Sequence, residues 1–191
     1  MQLLPVHDKP MVYYPSFAIA KTILATERIT APENYKGLVM ATIVQIDVGE
    51  KEAFGVAASK GNLLMTIRGA IEAEMDDLQE KLEAEALKNA AEYGLTCTFS
   101  YCDAFPETIS FPESNEKIRR AANELGYPVI EMPEALRGSE DFGHFTKYTK
   151  GASFFLGMGM DVPELHTPHF DFDDDLIESA TEIFKNLVRK A

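Results

Sequence analysis

His166 and His169 stand on either side of Pro168 in the segment Leu165–Asp175, LHTPHFDFDDD. A neutral imidazole in a loop is a common zinc ligand, so either histidine could hold a metal. Asp171, Asp173 and Asp175 alternate, with Glu182 at the twelfth position of a calcium-loop register. That register fails mechanically, because its sixth position must be glycine for the sharp turn and is Leu176 here. The aspartates also fit a structural role, complementing the positive N-terminus of the helix that follows. A second polar segment, Arg137–Phe142 (RGSEDF), has the serine-then-acid order of a helix start, with Ser139 as the N-cap candidate. Arg68 ends an apolar run (LLMTIRG), where it is either a surface charge or a fork for a carboxylate. His7 and His144 are isolated. Met11, Met40, Met65 and Met75 form no single stripe and read as core filler. There is no Gly-x-Ser-x-Gly elbow, no Gly-rich phosphate loop and no Cys-x-x-Cys.

These residues need elements to position them. The chain has 191 residues, enough for one good core or two small ones. Its 46% hydrophobic content excludes wholesale disorder. The net charge of −13, from 31 acidic and 18 basic residues, argues against nucleic acid or an anionic membrane as the partner. No apolar run approaches a membrane span and no leader pattern opens the chain. Cys97 and Cys102 fall on opposite faces of an alternating strand, which disfavours a disulfide between them. Free thiols fit a reducing compartment, so a cytoplasmic protein is expected.

Residues 1–14 carry Pro5 and Pro10 and show no clear period; 8–14 are a candidate for a further strand. From Pro15 the pattern is helical, with Phe17, Ala20, Ile23, Leu24 and Glu27 on one side and Pro32 and Asn34 ending it. Residues 38–48 read as a strand with Met40, Thr42, Val44, Ile46 and Val48 on one face. Residues 53–58 and 62–68 read as a hairpin across Ser59–Gly61, with positive φ expected at Gly61. Residues 71–93 are an amphipathic helix capped by Gly94, and 95–102 alternate as a strand. These elements make an α+β sandwich whose two helices cover one sheet face. After Asp103 come helices at 113–125, 139–148 and 173–189, with short apolar strands at 127–131 and 152–156.

Taken in order, GLVMATIVQIDVGE, LLMTIRG, the long acidic helix, RGSEDFGHF, ASFFLGMG and LHTPHFDFDDDLIESATEIF resemble the zinc aminoacylase and carboxypeptidase-like metallopeptidases. The resemblance is strongest to the N-acyl-amino-acid amidohydrolase branch, which includes hippurate hydrolases, and it covers about residues 15–191. It implies an N-terminal segment 1–14, a ferredoxin-like lid at 15–103 and the C-terminal α/β piece of a catalytic domain at 104–191. It further implies hydrolysis of an amide bond in N-acyl amino acids or small peptides, zinc or another divalent metal, and homodimerisation through the lid. By the same resemblance His166 is the last metal ligand and His169 is not one. Ser139, Glu140 and Asp141 line or brace the site, and Arg68 binds the substrate carboxylate.

The sequence departs from the family pattern where chemistry is concentrated. No Glu-Glu pair and no Cys-x-His occur, the lid histidine has no counterpart in MVYYPSF, and a lid asparagine aligns with Gly55. One histidine cannot hold zinc in a site that needs three or four ligands. The expectation is that the 191-residue chain alone binds no metal stably and is inactive, with a separate N-terminal half as a possible complement. The alternative is a stand-alone α+β module that dimerises or binds a small ligand.

Overall fold

A computed structural model describes residues 1–5 and 14–190; the isolated His7, Met11 and most of the candidate strand 8–14 lie outside the described residues. The chain divides into two compact units, Met1–Glu107 and Thr108–Ala191.

Unit 1 runs β1 (Gln2–Pro5), α1 (Pro15–Ile29), β2 (Val39–Val48), β3 (Gly61–Gly69), α2 (Glu72–Glu92) and β4 (Leu95–Thr98). The four strands form one antiparallel sheet in the order β2-β3-β1-β4. This is the βαββαβ ferredoxin-like arrangement, an α+β fold as expected from the sequence. Its first strand is absent from the sequence reading, because four residues ending in a proline give too short a period to detect. Both helices pack on one face. Leu3, Ala18, Ile19, Leu63, Ala90 and Leu95 form one buried cluster, and Ile29, Leu78 and Leu82 form the other.

The buried face of α1 differs from the expected one. Ala18, Ile19, Thr22, Thr26 and Ile29 point inward, while Phe17 and Leu24 are exposed. The two threonines can be buried because their hydroxyls bond back to carbonyls one turn earlier, Thr22 to Ala18 at 2.8 Å and Thr26 to Thr22 at 2.9 Å. The Asn34 amide donates to the Arg28 and Ile29 carbonyls at 3.0 and 3.2 Å and so closes the helix end. In α2 the expected stripe is observed: Leu78, Leu82, Ala86 and Ala90 are buried, and Gly94 has φ +65° at the C-terminus.

The hairpin expected at 53–58/62–68 does not form. β3 instead pairs with β2, from Val48↔Gly61 to Val39↔Gly69, around the loop 49–60. Gly49 supplies the positive φ (+70°) and donates its N–H to the Lys60 carbonyl at 3.0 Å. Gly61 is needed for space, since a Cβ there would lie 2.8 Å from Ile19 Cδ1. The residues expected to share one face of β2, from Met40 to Val48, do not stay on one face. The ladder skips Val44 between Ile43↔Met65 and Gln45↔Leu64, a β-bulge. Val39, Ala41 and Ile43 therefore pack on the core, and so does Val48 beyond the bulge. β4 ends at Thr98, sooner than its alternation suggests.

Unit 2 contains α3 (Pro112–Glu124), α4 (Phe142–Thr146) and α5 (Asp175–Arg189). Ala121 and Ala122 of α3 and Ile183 of α5 are buried where these helices meet. The Asn186 amide donates to the Glu124 carboxylate at 3.2 Å beside that contact. Residues 127–131 and 152–156, expected as strands, are in no sheet among the described residues. Their apolar runs have strand composition, but a strand exists only when a neighbour accepts its ladder. Lone bonds remain, from Phe111 N–H to the Gly151 carbonyl at 2.9 Å and from Ser153 N–H to Ser110 Oγ at 3.1 Å.

Candidate metal and substrate site

Arg68 lies one residue before the end of β3, directly opposite Met40 in the register. The next pair on that face is Thr66↔Thr42. Opposed residues of an antiparallel pair share a face, so Arg68, Met40, Thr66 and Thr42 lie together on the side away from α1 and α2. That face also carries Gln2, Asn62, Asp47 and Thr98, aligned through Gln2↔Asn62, Gln2↔Thr98 and Asp47↔Asn62. Met40 is thus an open-face residue and not the core filler expected, whereas Met65 does pack on the core. Period alone could not find Met40 as the neighbour of Arg68, because loop length and bulge set the register.

The backbone behind Arg68 is tightly fixed. A Cβ on Gly69 would stand 2.8 Å from Met75 Cβ and 3.2 Å from Met75 N. The Ala70 N–H donates to the Leu38 carbonyl at 2.8 Å. At the adjacent end of α2 the Glu74 carboxylate accepts the Lys36 and Gly37 N–H groups at 2.7 and 2.9 Å. The Glu72 and Glu107 side chains each accept the other's backbone N–H, at 2.9 and 3.2 Å. The open face is an amphipathic sheet surface with one guanidinium near its rim, suited chemically to a carboxylate.

In unit 2, Ser139, Glu140 and Asp141 are all exposed. Ser139 is not the N-cap expected, for α4 begins at Phe142 and Asp141 holds the capping position with no side-chain cap bond. The anchors of this motif are apolar: Gly143 is buried, and Gly151 sits so close that its Cβ would be 3.0 Å from the Phe142 ring. Packing fixes Phe142 and leaves the three polar residues at the surface.

His166 occupies a turn. The Thr167 N–H donates to the Glu164 carbonyl at 3.3 Å, and His166 has φ +65°. Positive φ at the third residue of a four-residue turn is the type II pattern, usually a glycine position. A second turn follows, closed by Phe170 N–H to the Thr167 carbonyl at 3.1 Å with Pro168 as its second residue. Two successive turns therefore present His166 and His169, both exposed. Beyond them the Asp175 N–H donates to the Asp173 carboxylate at 3.0 Å, and Asp175 lies in the first turn of α5, as the helix-complementing reading requires.

Among the described residues no group of three or more His, Cys, Asp or Glu side chains is gathered to hold a metal ion. The donors brought together among the described residues do not make up a tetrahedral or dinuclear metal cage. Among those residues no helix is long and apolar enough to cross a membrane.

The chain has recognisable relatives. The family profile of peptidase family M20/M25/M40 matches residues 16–190. The N-acetyldiaminopimelate deacetylase of Shouchella clausii is 30% identical over 145 residues, which are 75% of this chain and 37% of that protein. An uncharacterized hydrolase of Staphylococcus aureus (strain bovine RF122 / ET3-1) is 27% identical over 147 residues, again 37% of its length. Among solved structures, the Bacillus subtilis YXEP protein, a dinuclear metal-binding peptidase from the M20 family, superposes with TM-score 0.73 at 21% identity. The match covers 97% of this chain and 47% of that one. A hydantoinase/carbamoylase family amidase from Burkholderia ambifaria gives TM-score 0.60 at 22% identity, covering 98% and 44%. The chain thus spans less than half the length of these relatives. With the fold, the ordered motifs and a profile match over nearly all its residues in agreement, the chain belongs to peptidase family M20/M25/M40.

Proposed function

We propose that this chain forms the lid and the C-terminal part of the catalytic domain of a metal-dependent amidohydrolase. Its reaction is hydrolysis of the amide bond of N-acyl amino acids or small peptides. The observation that carries this reading is the family match over residues 16–190 together with an arginine on the open face of the lid sheet. The deacetylase relative, named for an N-acetyl amino acid, supports the substrate class. The dinuclear neighbour supports a requirement for zinc or another divalent metal.

In this reading Arg68 binds the substrate carboxylate, His166 contributes one metal ligand, and Ser139, Glu140 and Asp141 brace the site. Metal-assisted hydrolysis needs several ligands to fix the ion and a general base to take a proton from water. The described residues do not assemble these groups, so we infer that the chain acts with further polypeptide and is inactive alone. Two units of the lid pair into a homodimer through the β2 edge. The free thiols Cys97 and Cys102 fit a cytoplasmic setting. The test is turnover of N-acetyl and hippurate-type amino acids by the pure chain with added zinc, manganese or cobalt. No hydrolysis is expected, and metal-dependent turnover would contradict the inactivity.

A second reading, a non-catalytic α+β module, is favoured by one observation: unit 1 has its own closed hydrophobic core. A metal-free dimer that binds N-acyl amino acids and never supports hydrolysis would select it.

A further inference from the structure

We propose that unit 1 binds a free α-amino acid in a cleft between the last turn of α1 and the middle of α2. The cleft is on the helix side of the sheet, opposite the face that carries Arg68.

The cleft has a volume of about 590 Å³, within the range of small-molecule sites. One wall is Lys81, Ala84, Glu85 and Lys88, spaced three and four apart and so aligned along one side of α2. The other wall is Arg28 with the turn Pro32–Asn34. The gap exists because Ala31 and Ala84 are short between long neighbours. The Asn34 amide, bonded to the Arg28 and Ile29 carbonyls, holds the second wall in place, which favours a preformed site.

The charges around the cleft are mixed. Arg28, Lys81 and Lys88 stand with Glu33 and Glu85, and the Asp77 carboxylate accepts from Lys81 at 2.6 Å. Arg28 reaches Glu85 only at 3.5 Å, the outer limit of a hydrogen bond, and its side chain is 71% exposed. Lys88 lies 3.0 Å from the same carboxylate and is 70% exposed. One carboxylate thus serves two cations, and the planar fork of Arg28 has donors to spare for a second one. Glu33, exposed on the turn, offers an anion for an ammonium group. Lys81 Nζ also lies 4.9 Å from the centre of the Tyr35 ring. The buried Tyr35 hydroxyl has no hydrogen-bond partner among the described residues, so a polar group still to be satisfied lies beside the cleft.

A ligand of both signs answers this lining. A simple polyanion would face Glu33, Glu85 and the net charge of −13, a repulsion that a neutral zwitterion does not meet. Ile29, Ala31 and Ala84 supply apolar surface for its side chain. A free amino acid is also what the hydrolysis proposed above releases; that link rests on the amidohydrolase reading, whereas the binding itself does not.

The experiment titrates the full 191-residue chain with L-leucine at low salt, by calorimetry and by amide NMR. The expected result is one-site binding in the millimolar range or tighter, with shifts at 28–34 and 81–88. L-Leucinamide lacks the carboxylate and N-acetyl-L-leucine lacks the ammonium, so each should bind this cleft about tenfold more weakly or worse. Arg28→Gln should weaken leucine binding by about tenfold or more, and Glu33→Gln by about threefold or more. Circular dichroism checks each variant; if Arg28→Gln loses helix, Glu33→Gln decides. No binding up to about 10 mM, tighter binding of inorganic phosphate than of leucine, or leucine binding that Arg68→Met abolishes and Arg28→Gln leaves intact would overturn the proposal. The titration needs no catalysis, so its failure counts against the cleft alone and leaves the amidohydrolase reading as it stands.

Discussion

Arg68 and Met40 face each other across β3 and β2 on the side of the sheet away from α1 and α2. A guanidinium beside a thioether offers a charged fork next to an apolar contact. If Arg68 grips the substrate carboxylate, Arg68→Met in the catalytically complete assembly removes one charge-assisted contact, worth about 1.5–3 kcal/mol. KM for N-acetyl amino acids should rise roughly tenfold to a hundredfold, with little change for the corresponding amino-acid amides. Equal losses on both substrates would remove Arg68 from carboxylate recognition.

Gly69→Ala tests the backbone that carries Arg68. Its new Cβ would sit 2.8 Å from Met75 Cβ and 3.2 Å from Met75 N, and the backbone at the start of α2 cannot swing aside like a side-chain tip. Overpacking of this kind costs about 1–3 kcal/mol. Urea unfolding of unit 1 should show a lower midpoint, and an unchanged midpoint would mean that β3 and α2 separate freely.

Between α1 and α2 the Asn89 amide donates to the Thr22 hydroxyl at 3.2 Å, both groups being buried. Asn89→Ala should destabilise unit 1 by about 1–3 kcal/mol, through the lost bond and the space left behind. Leu78→Ala, at a fully buried position, should cost about 2–5 kcal/mol. Thermal unfolding followed by circular dichroism ranks the two; a larger loss at Asn89 would mean that polar registry outweighs apolar burial there.

The cysteines should differ in reactivity. Burial pushes the half-buried Cys97 thiol above its ordinary value, and the nearby N-terminal ammonium only partly offsets this. Cys102 is exposed. Since thiolate is the reacting form, iodoacetamide near pH 8 should label Cys102 first, as peptide mass spectrometry would detect. Faster labelling of Cys97 would show that β4 opens readily.

Acid should loosen unit 2. The Arg119 and then the Arg120 side chains hold the Glu116 carboxyl below its ordinary 4.5, and Lys190 followed by Asn186 does the same for Glu124. A depressed folded value means that this stabilisation is present above the unfolded value and is lost as pH falls through the folded one. Helix content should therefore become easier to melt below about pH 4.5, and Glu116→Gln should flatten that dependence. A variant that melts with the same acid response as the parent would assign the effect to other carboxylates.

How much of this was legible depends on what each pattern encodes. The α2 stripe is apolar apart from Asn89, so spacing alone finds it. The α1 face escapes because Thr22 and Thr26 are polar by type and satisfied by their own helix, which inverts the usual rule of burial. The β2 face escapes because one unpaired residue, Val44, switches parity halfway along. At the candidate site, residue type left Arg68 and His166 open and only the family resemblance singled them out, and neither the Met40 partnership nor the surface position of Ser139, Glu140 and Asp141 can be read without the register and the Phe142 anchor. Residues 127–131 and 152–156 have the composition of strands, and composition cannot say who their neighbour is.

The irregularity at Val44 also governs what the outer rim of β2 can accept. An incoming strand would find two short stretches of regular spacing, 39–43 and 45–48, out of phase with each other. Each is too brief to seed indefinite stacking of copies, yet either can seat a short, defined pairing. A single inserted residue thereby lets a long rim take part in specific association while discouraging fibrous growth.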